Sequence, residues 1–236
     1  MSAADTTHDF AGRTVMITGA AGNLGRAVAR AFAAHGARLL LVDRDLDALQ
    51  ASYGPANELQ SLAQADLLDR AAVDALAHDR RIDVLCNLAG GFAMGPRVHE
   101  LADADLDRLF DVNVRTMLNA VRAVVPAMLQ AGAGAIVNVG ATAALRGAAG
   151  MGAYCASKDA VIRLTEAMAA ELRDDGIRVN CVLPSIIDTP ENRAAMPDAD
   201  FSRWVAPEAL ADVIVFLASR GARAVHGAAV PVAGRV

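Results

Sequence analysis

The sequence predicts an α/β protein built on one doubly wound parallel sheet of about seven strands, with helices on both faces. Short apolar segments alternate with longer helix-forming segments along the chain, a pattern typical of a parallel sheet that is covered on both sides. A glycine-rich turn follows the first apolar segment. The 236 residues, 54% of them hydrophobic, are enough for one large core, so we expect residues 1–236 to form a single domain.

A glycine-rich turn, Gly19 to Gly25, joins a strand predicted at Thr14–Thr18 to a helix predicted from Arg26 to His35. A second strand, Arg38–Val42, comes next and ends beside Asp43. Glycines in such a turn let the backbone approach a pyrophosphate that is bound at the helix N-terminus. The order predicts a Rossmann-type dinucleotide site, whose turn residues are Gly19, Gly22, Asn23, Leu24 and Gly25.

Asp43 is placed at the end of the second strand, where a carboxylate accepts hydrogen bonds from the adenosine ribose hydroxyls. The same carboxylate would repel a 2′-phosphate, so the sequence predicts NAD(H) as the preferred cofactor. Arg44 follows directly, and arginine binds phosphate well. NADP(H) therefore stays open as the alternative, with both Asp43 and Arg44 at the cofactor.

The rest of the chain repeats strand and helix in turn. We predict strands near Leu59–Ala63, Ile82–Asn87, Ala135–Val139, Ile177–Leu183 and Ala228–Val232. We predict helices over about Arg70–Asp79, Asp103–Gln130, Gly152–Asp174 and Pro207–Ser219. The second of these helices should bend at Pro126, because proline cannot donate the helical hydrogen bond. The segment between Pro190 and Ala206 is predicted to be irregular.

Tyr154 and Lys158 lie four residues apart in a helix-forming segment, so they share one face of the helix. Lys158 is the single lysine among the 22 Lys and Arg residues. This suggests a role for a compact ammonium that the fork of arginine cannot fill. A nearby ammonium stabilises a phenolate, so we expect a lowered pKa for Tyr154. Such a tyrosine can act as a general acid or base.

Charge and hydropathy exclude several classes of partner. The formal net charge is −5 without a basic run, which argues against nucleic acid. Residues 123–145 carry no charge, but Pro126 and several glycines among them argue against a membrane span. Met1–Phe10 is polar and lacks the apolar core of an export signal, so we expect a cytoplasmic protein.

The three cysteines, Cys86, Cys155 and Cys181, are odd in number and lie in apolar segments. Reduced core thiols are therefore expected rather than disulfides. The five histidines show no spacing that suits metal ligands. No metal is expected.

Taken together, these motifs resemble the short-chain dehydrogenase/reductase family over nearly the whole chain. The resemblance rests on Thr18 to Gly25, Asp66-Leu67, Asn87 to Gly90, Asn113, Tyr154 to Lys158, and Asn180 to Pro190. It implies that Tyr154 transfers the substrate proton, that Lys158 holds the nicotinamide ribose and that Asn113 anchors a water in a proton relay. It also implies further cofactor contacts at Asp66, Leu67, Asn87, Ala89, Gly90, Lys158, Pro184, Ile187 and Thr189.

Two positions depart from the family pattern. Asn23 stands where the family has a glycine, and we expect the loop to survive because asparagine tolerates a left-handed backbone. Ala141 stands where the family has its catalytic serine, and a methyl group cannot bond a carbonyl oxygen. Thr142 is adjacent, but it could replace the serine only if the backbone there is irregular.

A narrower resemblance links the segments Cys86 to Gly95, Ala144 to Met151 and Asp188 to Trp204 with the dihydropteridine reductase branch, which also lacks the serine. It implies reduction of a quinonoid dihydropterin or a similarly activated small ring with NADH. The substrate residues would be Phe92, Met94, Ala141, Thr142 and Met151.

Two alternatives stay open. One is a short-chain alcohol dehydrogenase or ketoreductase, such as a 3-oxoacyl reductase, that uses Thr142 in place of the serine. The other is a catalytically weak dinucleotide-binding sensor or assembly partner. In each case we expect a small-molecule ligand and a homodimer or homotetramer, because the helices Asp103–Gln130 and Gly152–Asp174 are apolar over much of their circumference.

Overall fold

The computed structural model describes residues 10–236, which contain one seven-stranded sheet. The strands are β1 (Thr14–Thr18), β2 (Arg38–Asp43), β3 (Gln60–Gln64), β4 (Val84–Asn87), β5 (Gly134–Val139), β6 (Ile177–Pro184) and β7 (Ala229–Val232). Their order is β3-β2-β1-β4-β5-β6-β7, and all neighbouring pairs are parallel. The predicted fold class is confirmed, and the strand order reverses between β1 and β4, where doubly wound sheets bind their ligands.

Helices cover both faces of the sheet. They are α1 (Asn23–Ala34), α2 (Leu46–Tyr53), α3 (Arg70–Ala77), α4 (Asp103–Phe110), α5 (Thr116–Ala131), α6 (Gly152–Glu171), α7 (Pro190–Ala195) and α8 (Pro207–Ala218). One core layer joins the sheet to α1, α2 and α8, and the other joins it to α3, α5 and α6. Alternate residues of β1 supply the two layers: Val15 and Ile17 face the first and Met16 the second.

Helix α1 begins at Asn23, with Gly22 as its N-cap, and not at Arg26. Asn23 therefore has no left-handed backbone, and among the described non-glycine residues only Asp79 has a positive φ. Our reason for tolerating asparagine in the loop was wrong. The left-handed conformation falls instead on Gly19, at φ 66°, where glycine has no steric penalty.

The long helix predicted at Asp103–Gln130 is present but not regular. A π-helical turn, Asp111–Arg115, separates α4 from α5. Such turns insert an extra residue and recur at functional sites, and this one contains Asn113. Pro126 lies inside α5, and a bend there stays a prediction.

Two helices were missed in the sequence. Helix α2 has Asp45 as its N-cap, whose side chain accepts a hydrogen bond from the Ala48 amide, and it ends at Gly54. Helix α7 lies within the segment predicted to be irregular, with Thr189 as its N-cap and Pro190 at its first position. Both carry ordinary capping signals, which were available in the sequence.

Within the described range, none of the helices has the length and apolarity that a bilayer span requires. The expectation for Met1–Phe10 lies outside the described residues, apart from Phe10 itself. Cys86, Cys155 and Cys181 are buried and unpaired, as predicted.

Candidate active site

A cleft of about 880 Å³ opens at the carboxyl ends of β1, β2 and β4. Its volume lies within the roughly 300–1,000 Å³ typical of ligand pockets. Eight of the predicted cofactor residues line it, namely Gly19, Gly22, Asp43, Arg44, Asp66, Leu67, Ala89 and Gly90. The structure therefore brings together residues that are far apart in the sequence.

The floor of this cleft is made of backbone. A Cβ added to Gly19 would lie 2.8 Å from the Ala89 amide nitrogen. One added to Gly90 would lie 2.9 Å from Asn113 Oδ1 and 3.2 Å from Lys158 Nζ. Because side chains are excluded here, a phosphate or ribose can approach the chain closely. These residues fit a bound dinucleotide.

The Asp43 carboxylate is held in a fixed orientation at the edge of the cleft. Its Oδ2 accepts a hydrogen bond from the Ala21 amide at 3.0 Å, and its Oδ1 accepts one from the Asp45 amide at 3.3 Å. Arg44 lines a neighbouring surface pocket together with Asp45 and Asp47.

Three predicted turn residues do not line the cleft. The Asn23 side chain donates to Glu191 Oε2 at 2.8 Å and accepts from Arg26 at 2.6 Å. Leu24 packs against the core beneath α1. Gly25 is buried in α1, where a Cβ would lie 2.6 Å from the Ala20 carbonyl oxygen. Gly25 therefore serves close packing of the helix on the turn.

Four further predicted cofactor residues lie at or just after the ends of β4 and β6 and do not line the cleft. Asn87 is buried in the sheet and donates to Asn138 Oδ1 at 2.9 Å. Pro184 ends β6, the Ile187 carbonyl accepts from the Asn192 side chain at 2.8 Å, and Thr189 caps α7. No contact in the structure tests their predicted roles.

Asn113 connects the loop after β4 to helix α6, which carries Tyr154 and Lys158. Its Oδ1 accepts from the Gly91 amide at 2.9 Å, and its Nδ2 donates to the Gly91 carbonyl at 3.1 Å and to Ser157 Oγ at 3.0 Å. Ser157 in turn donates to the Tyr154 carbonyl at 2.9 Å. Ser157 was missed in the sequence, although it directly precedes Lys158.

Lys158 is buried, and its Nζ donates to the Val139 carbonyl at 2.8 Å. Burial lowers the pKa of Lys158 to about 8. Burial also raises the pKa of Tyr154 to about 12, with a smaller contribution from the Cys155 thiol. The predicted lowering of the Tyr154 pKa is wrong for this structure, because loss of water around the phenolate outweighs any attraction from the ammonium.

A small pocket of about 160 Å³ adjoins Tyr154. Two predicted substrate residues, Met94 and Met151, line it. The charged residues at its wall are Asp105 and Arg108 of α4. Arg108 also lines the cleft of about 880 Å³ described above, which we call the dinucleotide cleft. The sequence showed no signal for these two residues, because only the fold brings α4 beside α6.

A family model described as short chain dehydrogenase matches residues 13–200. The chain belongs to the short-chain dehydrogenase family. The resemblance that the sequence motifs indicated is confirmed, and the protein is an oxidoreductase that uses a nicotinamide dinucleotide.

Relatives of this short-chain dehydrogenase cover almost its full length. D-threitol dehydrogenase of Mycolicibacterium smegmatis is 35% identical, with 92% of this chain and 90% of that protein aligned. Meso-2,3-butanediol dehydrogenase of Serratia marcescens is 34% identical, with 95% and 94% aligned. The crystal structure of a 3-oxoacyl-(acyl-carrier protein) reductase from Brucella melitensis with bound NAD superimposes with a TM-score of 0.87 at 31% identity, covering 98% of this chain and 93% of that one.

The short-chain dehydrogenase has an irregular backbone where the family serine is missing. Ala141 is buried and extended, at φ −160° and ψ 147°, and a 3₁₀ turn, Thr142–Leu145, begins directly after it. Thr142 Oγ1 donates to the Pro184 carbonyl at 3.3 Å. The condition for Thr142 to reach the site, an irregular backbone, is therefore met.

We predict a pH-dependent stability difference between the wild type and Lys158→Met. The pKa of Lys158 is about 8 in the folded protein against an ordinary 10.5, so between these values the unfolded chain binds more protons. Stability contributed through Lys158 therefore rises with pH across this window. Between about pH 7.5 and 9.5, the free energy of unfolding of the wild type should rise by about 2 kcal/mol relative to that of Lys158→Met. Urea unfolding at several pH values measures this difference.

Arg163→Met is the matched control, because Arg163 lies exposed on the same helix and stays charged throughout this range. The difference in free energy of unfolding between Arg163→Met and the wild type should not change with pH. If the difference between Lys158→Met and the wild type were also independent of pH, the lowered pKa of Lys158 would be contradicted.

Proposed function

We propose that this protein transfers hydride reversibly between a nicotinamide dinucleotide and a small secondary alcohol or the corresponding ketone, with diols and polyols as the substrate class. The observation that carries the proposal is the position of Tyr154, beside a pocket of about 160 Å³ that shares Arg108 with the dinucleotide cleft. This volume is about half the lower end of the roughly 300 Å³ found for drug-sized ligands. It favours a small substrate.

The relatives support the same class. Those named above are a threitol dehydrogenase, a butanediol dehydrogenase and a 3-oxoacyl reductase. They favour the alcohol dehydrogenase or ketoreductase alternative over pterin reduction. Pterin reduction is the second candidate, supported by Ala141 and by the exposed ring of Phe92.

In reduction, Tyr154 donates its phenolic proton to the carbonyl oxygen as hydride reaches the carbon; in oxidation, the phenolate removes the hydroxyl proton. A dinucleotide held in the cleft would supply or accept the hydride. With a pKa of about 12, Tyr154 is protonated at neutral pH, which is the form that reduction needs. Lys158 Nζ, close to Gly90 on the cleft floor, binds the ribose.

The substrate oxygen needs a second donor as charge develops on it. Ala141 has none, so we assign this role to Thr142. Its hydroxyl proton is donated to the Pro184 carbonyl over a long 3.3 Å, so Thr142 would donate to a substrate oxygen only after its hydroxyl turns away from Pro184.

A dinucleotide-binding protein without turnover would use the ribose contact of Lys158 but would have no use for Tyr154 as a proton donor. Burying the ammonium of Lys158 disfavours its charged form and so costs folding free energy. Ribose binding by itself accounts for that cost, but the pairing of Lys158 with a tyrosine one helical turn away on α6 favours a proton-transferring site.

We expect oxidation of vicinal diols such as butane-2,3-diol and threitol with NAD+, followed by NADH absorbance. Tyr154→Phe should lower kcat at least 100-fold, because it removes the proton donor. Thr142→Val should lower kcat at least about tenfold at constant shape, and Ala141→Ser should raise ketone reduction, because each changes one donor at the oxygen.

Three results would contradict these assignments. Faster reduction of quinonoid dihydropterin than of any ketone would establish the pterin alternative. Full activity in Thr142→Val would remove Thr142 from the mechanism. If the protein binds the dinucleotide but converts no substrate of either class, the sensor or assembly-partner alternative is favoured.

For the cofactor we propose a preference for NAD(H), because Asp43 is held at the cleft edge and Arg44 lies beside two carboxylates. NADH should bind at least about tenfold more tightly than NADPH, a difference near 1.4 kcal/mol. Calorimetric titration measures both affinities. Asp43→Asn should reduce the difference in affinity between NADH and NADPH. Equal affinities in the wild type would mean that Arg44 governs the site.

We also propose a homodimer or homotetramer. A surface groove along the long α4–α5 helix is lined by the apolar residues Phe110, Val114 and Leu118 together with three arginines, Arg70, Arg115 and Arg122. In addition, one face of α8 exposes half of Phe216. Covering such surfaces with a second copy would bury apolar area. Light scattering coupled to size exclusion should give at least twice the monomer mass of 24.4 kDa, and a monomer at micromolar concentration would refute the proposal.

A further inference from the structure

The rings of Phe92 and Tyr154 are in direct contact. Their centroids lie 4.9 Å apart with an interplanar angle of 80°, the edge-to-face arrangement that aromatic pairs prefer. Phe92 is nevertheless 58% exposed, and it lies in the loop after β4, outside both core layers. Single exposed apolar side chains are common on protein surfaces, but this ring contacts the tyrosine to which proton transfer is assigned above.

The backbone on both sides of Phe92 is fixed by hydrogen bonds. Gly91, directly before it, bonds Asn113 through both its amide and its carbonyl. The Gly95 amide, three residues after it, donates to the Gly150 carbonyl at 2.8 Å. The loop is thus tied to the π-helical turn on one side and to the segment preceding α6 on the other.

The same hydrogen-bond network connects the Phe92 loop to helix α6. Asn113 also bonds Ser157, which bonds the carbonyl of Tyr154. One buried amide therefore sets the position of the backbone of Tyr154 and, through Gly91, the position of the ring that covers its side chain. The two aromatic rings meet because both are positioned from the same residue.

We propose that Phe92 is a positioning residue that holds the Tyr154 ring in its catalytic orientation and shields it from water, rather than a residue that binds substrate. The kinetic test given below rests on the function proposed above, whereas the titration of Tyr154 does not. The physical basis of the proposal is the ring contact and the tethered loop.

Removal of the Phe92 ring should admit water to the phenol and stabilise the phenolate. The pKa of Tyr154, which burial raises to about 12, would then fall towards its ordinary 10.0. The other groups near Tyr154 stay unchanged. They are the Cys155 thiol and the Lys158 ammonium on its own helix, and the opposite charges of Asp105 and Arg108 on α4.

The chain has only two tyrosines, so a Tyr53→Phe background reports Tyr154 alone. Phenolate absorbance near 295 nm, read within milliseconds of a pH jump, gives the midpoint before the protein unfolds. Phe92→Ala in this background should lower the midpoint by at least one pH unit, and Phe92→Leu by less. Leu145→Ala, which deletes another exposed apolar side chain from the 3₁₀ turn that precedes α6, should leave it unchanged.

An unchanged midpoint in Phe92→Ala, or an equal shift in Leu145→Ala, would overturn the proposal. This titration needs no substrate, so its outcome is independent of the reaction assigned above. Once a substrate is in hand, Phe92→Ala should lower kcat and move the pH profile while KM stays within about twofold. A raised KM with an unmoved pH profile would make Phe92 a substrate contact instead.

Discussion

The side-chain amide of Asn113 is the constraint on which the site depends. It is 2% exposed, so each of its polar atoms must find a partner inside the protein. Those partners are the Gly91 backbone and Ser157, which belong to the loop after β4 and to α6. Leaving one of these groups unpaired would cost about 1–3 kcal/mol, so these hydrogen bonds hold the loop, the π-helical turn and helix α6 in one relative arrangement.

A second buried network fixes α6 on the sheet. Asn87 of β4 donates to Asn138 of β5 at 2.9 Å, and Asn138 donates to Thr165 of α6 at 2.8 Å. Lys158 adds a bond to the Val139 carbonyl at the end of β5. The helix is therefore held near its N-terminus by Asn113 and farther along by the two asparagines. Apolar packing does not by itself fix the orientation of a helix, because the hydrophobic effect is non-directional. The hydrogen bonds described here fix the orientation of α6 relative to the sheet.

Local patterns in the sequence predicted most of the fold because they depend on near neighbours. Strand β1 is a nearly continuous apolar run, and the glycine turn lies between this strand and a helix. Even so, α2 and α7 were missed although Asp45 and Thr189 are ordinary caps. The π-helical turn at Asp111–Arg115 could not be predicted in this way, because it is maintained by the contacts of Asn113 with residues 22 and 44 positions away.

By itself, the sequence determined the class of sheet, the dinucleotide turn, the pairing of Tyr154 with Lys158 and the absence of a serine at Ala141. Only the tertiary structure decided the proton affinity of that pair and the surroundings of Tyr154. Spacing along a helix states which side chains share a face, but a pKa depends on how much water reaches the group and on which partners surround it. For Tyr154 and Lys158 these partners are Phe92 and Val139, which come from other strands and loops, and only folding brings them there.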